Sequence, residues 1–142
     1  MPTTGDVVRD RIASVCASDP FRLFEAQSPF DFDQVPTGLI DGAFRVTATL
    51  GSVIGGFNYT EERTDVMEIW VARKQGVDPK ATYRQLQQVA NSLRAAVIRD
   101  GSTGGGDFHV PDDGAGVQID HEAGREFAVL RLTLPANFEA LV

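Results

Sequence analysis

The stretch 65–99, DVMEIWVARKQGVDPKATYRQLQQVANSLRAAVIR, decides the fold, because it joins the clearest strand of the chain to its longest helix. In its first part Met67, Ile69 and Val71 form an apolar row, and the residues between them form a mixed row. A period of two residues is typical of a β-strand. We therefore predict a strand over 64–74 with one apolar and one mixed face.

A long amphipathic helix follows this strand in the sequence. Asp78 and Pro79 predict its start, because Asp is a preferred N-cap and Pro fits the first helical position. The helix is predicted over 79–99, and Gly101 is predicted to terminate it. Its apolar residues recur at helical spacing and form one stripe: Tyr83, Leu86, Val89, Ala90, Leu93 and Val97.

The chain before residue 44 predicts a second, shorter helix and an irregular segment. Val8, Ile12 and Val15 form an apolar stripe that indicates a helix over 6–17, capped by Thr4 or Gly5. Residues 20–43 contain prolines and glycines between phenylalanines, so they are predicted to be irregular apart from a short strand near 21–25.

Residues 44–63 predict a strand that loses its regularity. Strict alternation indicates a half-buried strand over 44–50. Gly55-Gly56 indicates a turn or a β-bulge, and residues 60–63 are polar enough to be predicted as exposed. The face predicted to be buried consists of Phe44, Val46, Ala48 and Leu50.

The C-terminal part predicts a loop and a last strand. The glycines of residues 101–106 indicate a flexible connection, and 117–120 are predicted as a strand or loop. Residues 125–134 alternate strongly and are predicted to be a strand that Pro135 stops. The sequence thus predicts one α+β domain, 1–142, with a mixed, mainly antiparallel small β-sheet and two helices (about 6–17 and 79–99) packed on one face.

Composition and charge exclude several function classes. The 142 residues carry a net charge of -7 from 20 acidic and 13 basic residues, and the basic residues are scattered. Nucleic-acid binders and polybasic membrane proteins rely on clustered cations, so neither class is predicted. No apolar run is long enough to span a membrane, and no signal peptide is recognisable at Met1.

Two residue groups are candidate sites. The predicted sheet has an apolar face left over once the helices dock, and such a surface usually marks an interface. The candidate interface residues are Phe57, Tyr59, Glu61, Glu62, Arg63 and Trp70, with core packing as the alternative for the aromatic ones.

The other candidate is a metal site. His109 and His121 lie among carboxylates, but their spacing matches no metal-binding motif, and a turn-rich loop explains the same composition. Cys16 lies on the stripe of the first helix and is predicted to be a buried thiol rather than a nucleophile. No catalytic residue, cofactor or metal is predicted.

The order of these elements resembles that of the tail terminator (tail completion) proteins of long-tailed bacteriophages. The landmarks are the helix 5–16, the strand 44–50 after Val35-Pro36, the strand 65–73, the Pro-initiated helix 79–99 and the strand 126–134. The resemblance implies a non-enzymatic virion protein that forms a homo-hexamer ring at the head-proximal end of the tail tube and contacts the tube protein and the head-tail connector.

The resemblance also implies a place in the virion tail or neck after synthesis in the bacterial cytoplasm. DNA would pass through the acidic bore without specific binding, because phosphates find no cations there. A neck or head-completion protein of the same virion region is the alternative. Two further hypotheses from other classes are a small metal-dependent enzyme that uses His109 and His121, and a monomeric module that binds a peptide or small ligand.

Overall fold

A computed structural model describes residues 3–25, 42–57, 59–103, 108–111, 115–121 and 127–141. The spatial order of the strands is β1-β2-β3-β5-β4, and within these residues only the β1–β2 pair is parallel. The predicted α+β class, with a mainly antiparallel sheet and two helices, is confirmed. The elements are α1 (Gly5–Ala17), β1 (Phe24–Glu25), β2 (Ala43–Phe57), β3 (Thr60–Lys74), α2 (Pro79–Thr103), β4 (Gly116–Asp120) and β5 (Phe127–Leu141).

Both helices begin at the caps that the sequence predicts. The side-chain oxygen of Thr4 accepts a hydrogen bond from the backbone N–H of Val7 at 3.2 Å. In α2, Oδ1 of Asp78 accepts from the backbone N–H of Lys80 at 3.0 Å. Each cap satisfies a donor that the first turn of a helix leaves without an intrahelical partner, which fixes where the helix starts.

The two helices pack on one face of the sheet and form the core there, as predicted. Each large apolar side chain removed from water contributes about 1.5–3 kcal/mol, so this layer dominates the stability of the fold. Its fully buried members are Val8, Ile12 and Cys16 in α1, Leu86, Leu93 and Val97 in α2, and Phe44, Val46, Met67, Ile69, Val71, Leu130, Leu132 and Leu134 in the strands.

The predicted end of α2 at residue 99 is wrong by four residues, because the helix ends at Thr103. Gly101 is buried inside the last turn and does not terminate the helix. A Cβ on Gly101 would lie 2.7 Å from the carbonyl oxygen of Phe108 and 2.8 Å from its ring. The glycine is therefore explained by the close approach of Phe108 rather than by a helix cap.

Pro135 does not stop the last strand, because β5 continues through it to Leu141. The N–H of Asn137 donates to the carbonyl oxygen of His109 at 2.7 Å, on the side away from β3. Residues two apart in a strand direct their N–H groups the same way. The N–H that Pro135 lacks would therefore point away from β3, and the β3–β5 ladder loses no bond.

The strands β2 and β3 are longer than predicted. Residues 60–63, predicted as exposed polar chain, begin β3 and pair with both β2 and β5. Ala48 and Leu50, predicted on the buried face, are exposed. A turn or a β-bulge is predicted at Gly55-Gly56. The register of β2 shifts between Val53 and Gly55, which corresponds to a β-bulge.

The face opposite the helices is partly closed. Ala72 and Val129 are buried there, and Trp70 and Phe127 pack beside them. Most of residues 20–43, predicted as irregular, and residues 125 and 126 lie outside the described residues, as do Gly104 to Gly106 of the predicted flexible connection.

Candidate assembly surface

The hairpin of β2 and β3 extends beyond the helical layer, and we call residues 50–57 and 59–64 the arm. On the outer side of β2, β1 pairs only with Ala43 and Phe44. Next along that side, Nε of Arg9 donates to the carbonyl oxygen of Val46 at 2.8 Å. From Ala48 onward the described part of the chain places no strand against this edge of β2.

Large apolar side chains are exposed on the arm and beside it. Leu50 is 75% exposed and Tyr59 is 89% exposed, and Leu141 at the end of β5 is 70% exposed. Val53 and Ile54 are more than half exposed. Five such exposed side chains lie at one end of the sheet, and exposed apolar surface of this kind often marks an interaction site.

The open edge of β2 lacks the charges and prolines that often protect an edge strand, although its register shifts between Thr49 and Ser52 and between Val53 and Gly55. Residues 46–60, VTATLGSVIGGFNYT, contain no charge and no proline, in a chain that is 23% charged. Natural edge strands are usually short or carry charges or prolines, because unpaired N–H and C=O groups otherwise recruit another strand. This edge is thus chemically suited to pairing with a strand from another molecule.

The tip of the arm holds its aromatic residue in an unusual conformation. Phe57 pairs with Thr60, so the connection has only two residues, and Tyr59 has a φ of 68°. A non-glycine residue in the left-handed region costs roughly 1 kcal/mol. The ring is nevertheless exposed, so the described contacts of the fold give no reason for tyrosine at this position.

The charged residues of the arm divide between its two faces. Arg63 lies between Glu61, at 3.7 Å, and Asp65, at 3.4 Å, on the face that continues into the core. Glu62 is exposed on the opposite face, where it is paired directly with Glu139 of β5. The cation of the arm is therefore already neutralised within the molecule, whereas Glu62 faces another carboxylate.

Trp70 lies apart from the other five predicted interface residues. It is half-buried at the centre of the second face, and the guanidinium of Arg131 lies 5.4 Å from the centre of its ring. A cation above an indole ring is a favourable contact within one chain. The arm thus contains Phe57, Tyr59, Glu61, Glu62 and Arg63, and Trp70 belongs to a different surface.

The two histidines of the metal hypothesis do not approach each other. His109 bridges to Asn137 of β5, whereas Asp120, the neighbour of His121, pairs with Val129. Eight residues of strand correspond to about 26 Å, and zinc holds each nitrogen at about 2 Å. A single ion cannot bind both. The ring of His121 instead stacks on Tyr83, with 4.6 Å between ring centres.

Cys16 is not an accessible nucleophile in this fold. Cys16 is fully buried, and burial, followed by the charge of Glu25, raises the pKa of its thiol to about 12. The thiol is therefore protonated and inaccessible at neutral pH. Among the residues that the structure describes, no three His, Cys, Asp or Glu side chains are grouped so that they could hold a metal ion.

A groove of about 600 Å³ lies between α1 and α2. Its lining combines small and apolar side chains, such as Ser14 and Phe21, with the charged Asp19, Arg99 and Asp100. The ion pair between Arg11 and Asp100 joins the two helices at 3.0 Å. Ligand sites usually combine apolar walls with a few convergent polar groups, and in this groove the carboxylate of Asp100 is already engaged by Arg11.

Comparison with known proteins does not assign this chain to a family. No family model matches the chain, and no curated protein matches its sequence. In the described part of the chain, neither helix is both long enough and apolar enough to cross a membrane.

The sequence pattern identifies the tip of the arm but not the exposed apolar residues of β2. Leu50 is predicted on the buried face and no burial is predicted for Val53 and Ile54, because alternation alone does not show where the helical layer ends. The signal that identifies them is the absence of charge over 46–60, which is informative only when β2 is known to be an edge.

Proposed function

We propose that this protein is a structural virion protein that assembles into a ring capping the head-proximal end of a phage tail tube and joining it to the head connector. The observation that carries the self-assembly part is the outer edge of β2, which is uncharged over 46–60 and, within the described residues, unpaired from Ala48 onward, together with its exposed apolar arm. A monomer with such an edge is prone to uncontrolled pairing, and coverage by another subunit removes that hazard.

A ring requires two different contact surfaces on each subunit. The arm is one surface, and the helical layer and the β4 edge are chemically different surfaces on other sides of the same molecule. A contact between two different surfaces is heterologous, and repeated heterologous contacts produce closed rings or open filaments. A protein that ends a tube needs a closed ring, so the proposal requires that the repeated contacts close into a ring rather than continue as a filament.

The phage part of the proposal rests on the order of elements. A short N-terminal helix, a first strand, a long strand, a Pro-initiated helix and a returning C-terminal strand occur here in the order that the tail terminator proteins share. The fold agrees with that order, although α+β sheets with two helices serve many functions. The virion assignment is therefore a hypothesis that needs its own test.

Self-assembly is tested by introducing a charged residue into the uncharged part of β2. In Val53→Lys, the exposed arm gains a cation, and we expect monomers where the wild-type protein forms rings in mass photometry and negative-stain microscopy. Ser14→Lys, which adds the same charge at an exposed position of α1, is the matched control and should form rings. Wild-type protein that stays monomeric alone and with tail tubes would contradict self-assembly.

The virion role is tested separately with the tail-tube protein encoded in the same genome. We expect the ring at one end of assembled tubes in micrographs, and tubes of uncontrolled length when the protein is omitted. Rings that bind the connector but not the tube would assign the protein to the neck instead. A genome without a tail-tube gene would contradict the phage assignment and leave the assembly result intact.

A further inference from the structure

The helix α2 is the basic element of an acidic protein. Between Pro79 and Arg99 it carries four cations and no acidic residue, although the chain has a net charge of -7. Lys80 and Arg84 are both exposed and lie four residues apart, so they are neighbours on one face of the helix. Like charges at this spacing destabilise a helix slightly, which points to a use outside the helix itself.

An exposed apolar side chain accompanies these two cations. Val77, three residues before Lys80, is fully exposed. Asp78 between them uses its carboxylate to cap the helix. The beginning of α2 therefore presents Val77, Lys80 and Arg84 as a basic surface with an apolar side chain, and we call these three residues the basic patch.

Two acidic side chains and an exposed apolar side chain lie together on the arm and on the adjacent end of β5. Glu62 and Glu139 are directly opposite each other in β3 and β5, on the same face, and both are exposed. Adjacent to them on that face lies Leu141, paired with Thr60. Like charges directly opposite in a sheet destabilise the pair, and within the described chain neither glutamate has an ion pair. We call Glu62, Glu139 and Leu141 the acidic patch.

The two patches cannot meet within one molecule. Twelve residues of β3 separate Glu62 from Lys74, which corresponds to roughly 40 Å of strand. The basic patch begins three residues beyond Lys74, at the far end of the molecule. Within the described part of a single copy, neither patch therefore meets the other, and the two lie at opposite ends along the strand direction.

We infer that the acidic patch of one copy docks on the basic patch of the next copy, in a head-to-tail contact. Glu62 and Glu139 approach Lys80 and Arg84, and Leu141 packs near Val77. This contact rests on the self-assembly proposed above. It identifies the second contact surface of each subunit and the direction in which successive subunits are arranged. Charge complementarity of this kind mainly fixes partner and register, while the uncharged edge of β2 contributes burial.

A second copy suits the basic patch better than nucleic acid does. The patch offers two cations at one end of a helix, and the chain as a whole repels phosphate through its net charge of -7. The acidic patch supplies a matched partner of opposite sign, with an apolar side chain in each surface. Salt-dependent binding of a DNA duplex that is lost in a Lys80→Glu, Arg84→Glu variant would overturn the inference.

Cysteine cross-linking tests the contact directly. Glu62→Cys and Arg84→Cys proteins are mixed and treated with a short bismaleimide, and we expect a covalent dimer that contains one of each. Cys16 is buried with a thiol pKa of about 12, so it does not compete at neutral pH. Neither variant alone, nor Glu62→Cys mixed with Ser14→Cys, should give the dimer.

Charge exchange gives an independent measurement. Glu62→Lys and Arg84→Glu each place like charges in the contact, and each should weaken self-association by about tenfold. The double variant carries both changes in one chain, restores opposite charges at every contact, and should recover association to near the wild-type value. Circular dichroism checks that each variant folds.

The outcomes separate this inference from the proposed function. Wild-type rings without the mixed cross-link, or with cross-links in Glu62→Cys alone, would overturn the head-to-tail contact and leave self-assembly standing. A double variant that associates no better than the two single variants would also overturn it. Wild-type protein that forms no assembly at all would refute both.

Discussion

The backbone N–H of Gly51 donates a hydrogen bond to Oδ1 of Asp65 at 3.2 Å, where the core of the sheet gives way to the arm. Asp65 is only 2% exposed, and Arg63 donates to the same oxygen. A Cβ on Gly5 would lie 2.5 Å from the other oxygen, so the first turn of α1 also adjoins this carboxylate. Asp65 therefore connects α1, the irregular part of β2 and β3.

Removal of this carboxylate should destabilise the fold. In Asp65→Ala the N–H of Gly51 and the guanidinium of Arg63 lose their shared acceptor, and unsatisfied buried groups cost about 1–3 kcal/mol. We expect the free energy of unfolding, measured with urea, to fall by about 2 kcal/mol. A decrease below 0.5 kcal/mol, the usual range for surface substitutions, would show that water replaces the carboxylate without penalty.

Gly51 should tolerate no side chain, because the two strands approach too closely there. A Cβ at this position would lie 1.7 Å from the carbonyl oxygen of Thr64, which is backbone and cannot move aside. We expect Gly51→Ala to lower the free energy of unfolding by at least about 2 kcal/mol. Gly76→Ala is the matched control, since nothing lies within 4 Å of its Cβ, and its stability should be unchanged or slightly higher.

The sequence predicts the fold well where helices cover the sheet. Alternation of Met67, Ile69 and Val71, and the helical stripe containing Leu86 and Leu93, report burial on one side, and that burial is what the helical layer provides. Beyond this layer the same strands continue without one-sided burial. Their true lengths depend on pairing with neighbours distant in the chain, which periodicity does not report.

Local sequence patterns also fail to predict the strand ends and part of the candidate surface. Pro135 is a strand breaker by its local chemistry, yet its missing N–H faces away from β3, a fact that depends on sheet order. Tyr59 was identified from its aromatic character, whereas Leu50 becomes notable only because β2 is an edge. Edge position is a tertiary property, so no local pattern could have supplied it.

Tyr59 should matter for assembly and not for folding. Its left-handed backbone favours glycine, so Tyr59→Gly should leave the free energy of unfolding unchanged or raise it by up to about 1 kcal/mol. The same change removes an exposed ring from the arm, and self-association should weaken. Tyr59→Phe keeps the ring and should assemble as the wild type does. Loss of stability in the glycine variant would instead give the ring a structural role.

Cys16 should make the fold sensitive to high pH. Burial, and then the charge of Glu25, raises the pKa of its thiol from 9.0 to about 12, so the folded chain keeps a proton that the unfolded chain releases above pH 9. The unfolded state then binds fewer protons, and the free energy of unfolding must fall as pH rises from 9 toward 12. The stabilisation from this group is complete below pH 9.

The test compares wild type with Cys16→Ala by urea unfolding at several pH values, because other groups titrate in the same range. The alanine variant is less stable at pH 7 through the lost packing, by about 1 kcal/mol. The difference between the two proteins should shrink as pH rises above 9, and a thiol reagent should label the wild type at pH 8 only in urea. A constant difference, or rapid labelling of the folded protein, would mean that the thiol is open to solvent, and Cys16 would then react in the cross-linking test.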